Sequence, residues 1–367
     1  MKKFITTLFT VIGYLQLIAQ IPLDTLNWEI DARAFVIERY QGQDAIYLQA
    51  GAMTLKNETF LNGTIEFDIF LKKEQSFPGV YFRSQEETGD SELFYIRPHL
   101  PGKPDANQAI PVVKGVTPWQ LYFGPTYSFP YAYQYDRWTH VKILVNNDKA
   151  QVFLDGSDQP NLSWNLFHPA REGKVAFRGG NRSGMHLANI MIQKENPVLS
   201  DFKPIRRKPV NGLIESWEVS DKFEEKLLSN TGRLQDVIRQ RSWKGQVDVE
   251  EGVAANISRV HKLRDEVLGN TVFAKITIQS DEDQLKLFEF GYSDRVVAIL
   301  NGKPVYQGTN RYRSRDYRYL GTIGLFDAIY LDLKKGKNEL LMAVSEDLGG
   351  WLITGRFKDD SGIKVSE

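Results

Sequence analysis

Gly63-Thr64-Ile65-Glu66-Phe67-Asp68-Ile69-Phe70-Leu71 alternates with a period of two. Ile65, Phe67, Ile69 and Leu71 fall on one side of the chain, Glu66 and Asp68 on the other. Successive side chains of a strand point to opposite faces, so this pattern predicts a strand with one buried face. The pattern recurs on both sides of it. Gly79 to Arg83 places Val80 and Phe82 inward, with Tyr81 and Arg83 outward. In Leu93 to His99, a core made of Phe94 and Ile96 sends Tyr95, Arg97 and His99 outward. Val141, Ile143 and Val145 then oppose Val152 and Leu154 in a meander, and Asp155-Gly156 forms a turn that needs positive φ. Short, evenly spaced strands with little helix predict a β-sandwich.

The pattern breaks between Lys194 and Gly212. Pro197, Pro204 and Pro209 interrupt hydrogen bonding there, and Arg206, Arg207 and Lys208 read as a solvated basic connection. One or two helical turns are expected within Phe223 to Arg241. Strands then return at Val272 to Ile278, Leu285 to Phe290, Val296 to Leu300, Ala328 to Leu333 and Glu339 to Ser345. Asn301-Gly302 and Lys335-Gly336 punctuate them as turns. The predicted fold class is all-β: two β-sandwich (jelly-roll) domains in tandem, at residues 21–195 and 212–360, joined by a linker at 196–211.

Residues 1–20 read as an export signal. Lys2 and Lys3 precede the nearly charge-free apolar run Phe4 to Ile18, and Ala19 supplies a small residue for cleavage. No later stretch approaches the roughly 18 apolar residues of a membrane span, so a soluble mature protein, secreted or periplasmic, is expected. The chain has no cysteine, which excludes thiol catalysis, thiolate metal sites and lipid attachment through cysteine. Domains of about 150 residues bury enough surface to fold without disulfides. Lys+Arg 46 against Asp+Glu 46 leaves no net charge, and nucleic acid is not an expected partner. Aromatic residues make up 12%, which suits sugar stacking and Tyr-rich β-cores alike.

The order of elements in the first half resembles the concanavalin A-like lectin/glucanase superfamily, in its laminin-G-like branch. The residues that carry the resemblance are Gly63 to Leu71, Arg137-Trp138-Thr139-His140-Val141-Lys142-Ile143, Val152 to Gly156, Gly173 to Phe177 and Leu187 to Gln193. Glycoside hydrolases of that superfamily carry Glu-x-Asp-x-x-Glu on one strand, with its carboxylates as nucleophile, helper and acid/base. Here Glu66 and Asp68 begin the pattern, but Leu71 stands at its last position. No catalytic residue is therefore assigned, and Glu66 and Asp68 are expected to pair with Arg83 or Arg97. The second half resembles galactose-binding-like jelly rolls, such as those attached to β-galactosidase-type hydrolases. Phe290 to Asp294, Val296 to Val305 and Leu333 to Leu340 carry that likeness, and many such domains bind nothing.

The most site-like stretch is Glu92 to Gly124, a proline-rich segment read as a loop over a binding face. Sugars need flat apolar surfaces for their C–H faces and planar polar groups for their hydroxyls. The candidate carbohydrate-binding residues are Arg83, Tyr95, Arg97, His99, Asp105, Trp119, Gln120 and Tyr122. A salt-bridge ladder would equally explain the outward set, and Trp119 shares a face with Leu121 and Phe123 as a core residue would. The five histidines show neither HxH nor HExxH spacing, and no G-x-S-x-G, P-loop or G-x-G-x-x-G occurs. No cofactor is expected. Asp281, Glu282 and Asp283 could hold a structural calcium, although an acidic turn is the commoner outcome. Asn310 to Tyr319 interleaves Arg311, Arg313 and Arg315 with aromatics, a polar loop suited to an acidic glycan or to the first domain. The expected function is a secreted, non-catalytic carbohydrate-binding protein that engages a glycan or polysaccharide through the first sandwich. One alternative is a glycoside hydrolase-like enzyme, since Gly79 to Arg83 is similar to a strand of the exported 3-keto-disaccharide hydrolases, a family of concanavalin A-like fold. The other is a structural adhesion or complex-assembly module.

Overall fold

The computed structural model describes residues 20–180, 183–313 and 315–366; the expected export signal lies outside the described residues but for residue 20. The chain forms two β-sandwiches in tandem. The first contains β1 (Trp28–Tyr40), β2 (Gln43–Leu55), β3 (Gly63–Phe70), β4 (Gly79–Ser84), β5 (Ser91–Ile96) and β6 (Asn107–Val112). It continues with β7 (Trp138–Asn146), β8 (Lys149–Leu154), β9 (Leu162–Asn165), β10 (Lys174–Arg178) and β11 (Met185–Gln193). Hydrogen bonding runs in the order β6-β5-β4-β10-β2-β11-β3-β7-β8-β9, with β1 along β2.

One strand serves both layers. Ala45 to Leu48 of β2 pair with β11, whereas Ala52 to Thr54 pair with β10. Between these stretches Ala50 has φ 47° and Gly51 has φ 143°. A Cβ on Gly51 would lie 2.1 Å from the carbonyl oxygen of Asp31, so only glycine fits where the chain passes between layers. The two layers meet through aromatic rings. Phe67 on β3 sets its ring edge against Phe177 on β10 at 5.0 Å, and Phe94 on β5 stacks on Trp164 of β9 at 6.3 Å. All four are buried, and each contributes about 1.5–3 kcal/mol by leaving water.

The second sandwich contains β12 (Ser216–Ser220), β13 (Trp243–Glu250), β14 (Ala254–Asn256), β15 (Thr271–Ser280), β16 (Gln284–Ser293) and β17 (Arg295–Leu300). Then follow β18 (Lys303–Thr309), β19 (Asp327–Leu333), β20 (Gly336–Ser345), β21 (Leu352–Phe357) and β22 (Ile363–Ser366). Their order is β18-β17-β20-β15-β12-β13-β14-β21-β16-β19, with β22 on β15. Val272, Ala274, Ile276 and Ile278 are all buried, as their alternation predicts. The helical turns expected after Phe223 appear as two 3-10 turns and α1 (Leu234–Arg239). Leu234 and Val237 cover Phe273, Ile299 and Leu341.

The sandwiches share apolar contacts. Ala254, Ile323 and Leu352 of the second join the core of the first, and Val116 of the first joins the core of the second. The basic connection departs from its expected solvation. Arg206 and Lys208 are exposed, but Arg207 donates to the carbonyl oxygens of Leu121 (2.7 Å) and Phe123 and lies 4.5 Å from the Phe123 ring centre. A guanidinium offers five donors in a plane, so one side chain can hold two carbonyls while stacking on a ring.

Candidate functional site between the sandwiches

The segment Glu92 to Gly124 is not one long loop. It contains β5 and β6, and both strands are buried along their whole length. The face of β5 that points away from the first core is covered by the segment that follows β6 and by the second sandwich. This corrects the expectation of an exposed Arg83–Tyr95–Arg97–His99 face: Arg83, Tyr95 and Arg97 are buried and His99 is half-buried. Strand pairing also splits the set. Gly79 lies opposite Tyr95 and Phe82 opposite Glu92, so Arg83 and Arg97 stand at opposite ends of the hairpin. Arg83 is spent on the scaffold, donating to the carbonyls of Leu61 (2.7 Å) and Asn147 (2.7 Å) and to Asn62 (3.1 Å).

Five of the expected residues, Tyr95, Arg97, Asp105, Trp119 and Gln120, do come together. Arg97 donates to Asp105 Oδ1 (2.5 Å), to the Tyr95 hydroxyl (2.5 Å) and to Gln108 Oε1 (2.6 Å). Gln108 in turn donates to the Trp119 carbonyl at 2.9 Å. Burial raises the Tyr95 hydroxyl to about 12 and also pushes the Asp105 carboxyl up, against the opposing pull of Arg97. Asp105 extends the network across the boundary, since its Oδ2 accepts from the backbone N–H of Leu320 at 2.7 Å. Gln120 crosses as well: its carbonyl accepts from Ile323 N–H (2.9 Å), and its side chain donates to Ser293 Oγ (3.3 Å) and accepts from Gly350 N–H (3.0 Å). Glycine is required on the far side of this contact. A Cβ on Gly349 would stand 2.6 Å from the Trp119 ring, and one on Gly350 would stand 2.8 Å from Pro118. Tyr122 faces away from this group; it is buried and donates its hydroxyl to Glu250, which holds Arg259 at 2.8 and 2.9 Å.

Above this network lies a cleft of about 480 Å³. The first sandwich lines it with Tyr95, Arg97, Trp119 and Arg178. The second contributes Tyr292, Asp294, Asn310, Tyr312, Arg313 and Arg315. Trp119 is half-buried, and its indole N–H has no hydrogen-bond partner among the described residues. Tyr312 is 76% exposed. Two of its lining residues carry an unpartnered buried polar atom, Arg97 Nε and Thr322 Oγ1; both His99 ring nitrogens and Glu346 Oε2 are likewise without a partner. His99 borders the cleft through Phe77, whose ring lies edge-on to it at 5.3 Å.

The lone Glu346 oxygen has a chemical explanation. Glu346 follows β20 and Asp294 follows β16, and their carboxyls meet because β17 and β20 pair with Arg295 opposite Ser345. Two ionised carboxylates offer only acceptors to one another. Burial first, and then the neighbouring Asp294, push the Glu346 carboxyl well above the usual carboxylate range. A proton on Glu346 turns the orphan oxygen into a donor to Asp294, which lines the cleft. Sequence reading missed Glu346 and Arg178. The available signal was the abrupt polar end of two apolar strands, Tyr292-Ser293-Asp294 and Val344-Ser345-Glu346.

Glu66 and Asp68 lie elsewhere, on β3, and do not pair with Arg83 or Arg97. His140 on the adjacent β7 contacts Asp68 at 2.7 Å and Glu66 at 3.4 Å, and Lys142 reaches Glu66 at 3.2 Å. Hydrogen bonds to Asp68 and Glu66 raise His140 to about 9, and both carboxyls are held below their ordinary range. A glycosidic acid needs a raised pKa, which neither carboxyl has. Among the described residues no group of three or more His, Asp or Glu side chains is placed to hold a metal ion. Asp283, in the turn considered for calcium, accepts from the backbone N–H of Lys335 at 2.7 Å. No helix among the described residues is long and apolar enough to cross a membrane.

No family model matches the chain, and no curated protein matches it. Solved structures that resemble part of it include the carbohydrate binding module CBM66 from Bacillus subtilis, at 13% identity and TM-score 0.34, covering 45% of this chain and 93% of that one. The Caenorhabditis elegans galectin LEC-6 aligns at 13% identity and TM-score 0.28, over 45% of this chain and 99% of its own. A Bacillus licheniformis β-glucanase aligns at 11% identity and TM-score 0.32, over 47% of this chain and 83% of its own. Likeness at these identities and scores carries no function from those proteins to this chain.

Proposed function

We propose that the protein binds a carbohydrate in the cleft between its two sandwiches. The observation that carries this reading is the make-up of the walls. Trp119 and Tyr312 offer ring faces, while Asn310, Asp294 and the arginines offer planar polar groups around about 480 Å³. Flat apolar faces beside forked donors and acceptors suit the alternating C–H and hydroxyl surface of a sugar ring. The site thus belongs to both domains rather than to the first alone.

Binding without cleavage is the reading that the carboxyls favour. Retaining glycosidases hold theirs about 5–5.5 Å apart and inverting ones about 6.5–9.5 Å apart. Asp294 and Glu346 instead stand against one another, and Glu66 and Asp68 are engaged by His140 and Lys142. Asp294 then serves as an acceptor for a sugar hydroxyl. The chain acts outside the cytoplasm, exported by residues 1–20.

A glycan array probed with wild type and with Trp119→Ala tests the reading. Binding by wild type that the variant loses supports it. Glycan binding that survives Trp119→Ala, together with the loss of no other cleft contact, would sink it. Release of sugar from a bound oligosaccharide would replace binding with hydrolysis.

A further inference from the structure

We propose that the sugar taken by the cleft carries an acidic group, a ring carboxylate or a sulfate, and that Arg313 docks it. This rests on the reading of the cleft as a carbohydrate site and goes on to name the ligand's charge.

The cleft is lined by more arginines than carboxylates. Arg97, Arg178, Arg313 and Arg315 line it. Arg97 is met by Asp105 at 2.5 Å and Arg315 by Asp327 at 2.8 Å. Asp294 is the one carboxylate among the lining residues. The unpaired cation is Arg313, whose side chain makes no hydrogen bond or ion pair with any described residue.

Arg313 is also held ready. The turn that bears it is fixed by Asn310 N–H to the Asp294 carbonyl (2.7 Å), by Arg313 N–H to the Asn310 carbonyl (3.0 Å) and by Arg311 to Asp347 (3.3 Å). A second, independent feature points the same way. Arg97 is 1% exposed and lines the cleft, yet its Nε–H has no partner. A buried N–H left unpaired is costly, and an anionic oxygen would satisfy it with a charge-assisted bond. A single surplus cation fits one acidic sugar. A polyanion would call for a broad basic field, which the neutral chain does not provide.

The test uses the full chain and an array of matched pairs: oligosaccharides bearing uronate, sialate or sulfate, each beside its neutral counterpart. The strongest ligand and its carboxyl-reduced or desulfated form are then titrated calorimetrically at low and high salt. The acidic form should bind about tenfold tighter, the factor that corresponds to 1.4 kcal/mol, and the gap should narrow as salt rises. Arg313→Gln should erase most of that gap between the acidic and the neutral form. Equal binding of acidic and neutral forms overturns the proposal and leaves the carbohydrate site standing. A preference that persists in Arg313→Gln overturns the assignment to Arg313. Failure of every sugar, neutral and acidic, overturns the carbohydrate reading as well. Whether uronate or sulfate members bind identifies the source of the charge.

Discussion

Oε1 of Gln120 accepts the backbone N–H of Gly350 at 3.0 Å, joining residues 230 positions apart and locking the second sandwich onto the first. Removing the amide leaves a buried donor without a partner, which costs about 1–3 kcal/mol. Gln120→Ala is therefore expected to lower the unfolding free energy by that amount, seen as a lower urea midpoint. An unchanged midpoint in equilibrium denaturation would show that the contact is incidental.

Tyr312 gives the cleft an aromatic surface without supporting the fold, since 76% of it is exposed. Substitution at such a position normally changes stability by less than about 0.5 kcal/mol. Tyr312→Ala should weaken sugar binding about tenfold while leaving the melting temperature in place. Calorimetric titration beside thermal denaturation separates the two effects.

Glu92 makes stability depend on pH. It is buried in the first sandwich and accepts from the N–H groups of Phe167 and His168, and burial raises its carboxyl from 4.5 to about 7. The folded state thus holds its proton more tightly than the unfolded state. Its contribution is full below pH 4.5 and is lost as pH rises through 7. At 1.36 kcal/mol per unit, this amounts to about 3 kcal/mol. Glu92→Gln keeps an acceptor and removes the titration, so its stability relative to wild type should climb between pH 4.5 and 8. Parallel curves in denaturation across that range would contradict the assignment.

Arg207 ties the linker into the interface by charge-assisted bonds to two carbonyls. Arg207→Ala should cost about 2–3 kcal/mol and make the connection easier to cut by protease. Arg206→Ala, at an exposed neighbour, should match wild type in both measurements.

The repeating strands were legible because period two leaves a plain mark where one face is wet. Ile65, Phe67 and Ile69 show it, and so do Val272 through Ile278. β1 gave no such signal, because most of its side chains are exposed and its order comes from pairing with β2. β5 misled in the opposite way. Tyr95 and Arg97 alternate with apolar residues as solvent-facing groups do, yet the face they occupy is sealed by a domain that lies some two hundred residues further on. Alternation tells which side of a strand a residue takes; it does not tell what lies over that side. For the same reason Trp119, Gln120, Tyr95, Arg97 and Asp105 could be singled out from local chemistry, while their partners Asp294, Glu346 and Leu320 could not. Arg313 stood out in its basic run, but only the second sandwich's position brings it to the cleft.

The bond from Leu320 N–H to Asp105 has a bearing on how this protein can change over time. Neither sandwich owns a complete set of walls, so neither can be transplanted to another polypeptide as a portable recognition unit. Insertions or deletions between residues 196 and 211 should be tolerated only when they preserve the docking angle. Selection on the proposed binding cleft would therefore act on the pair as one inherited unit.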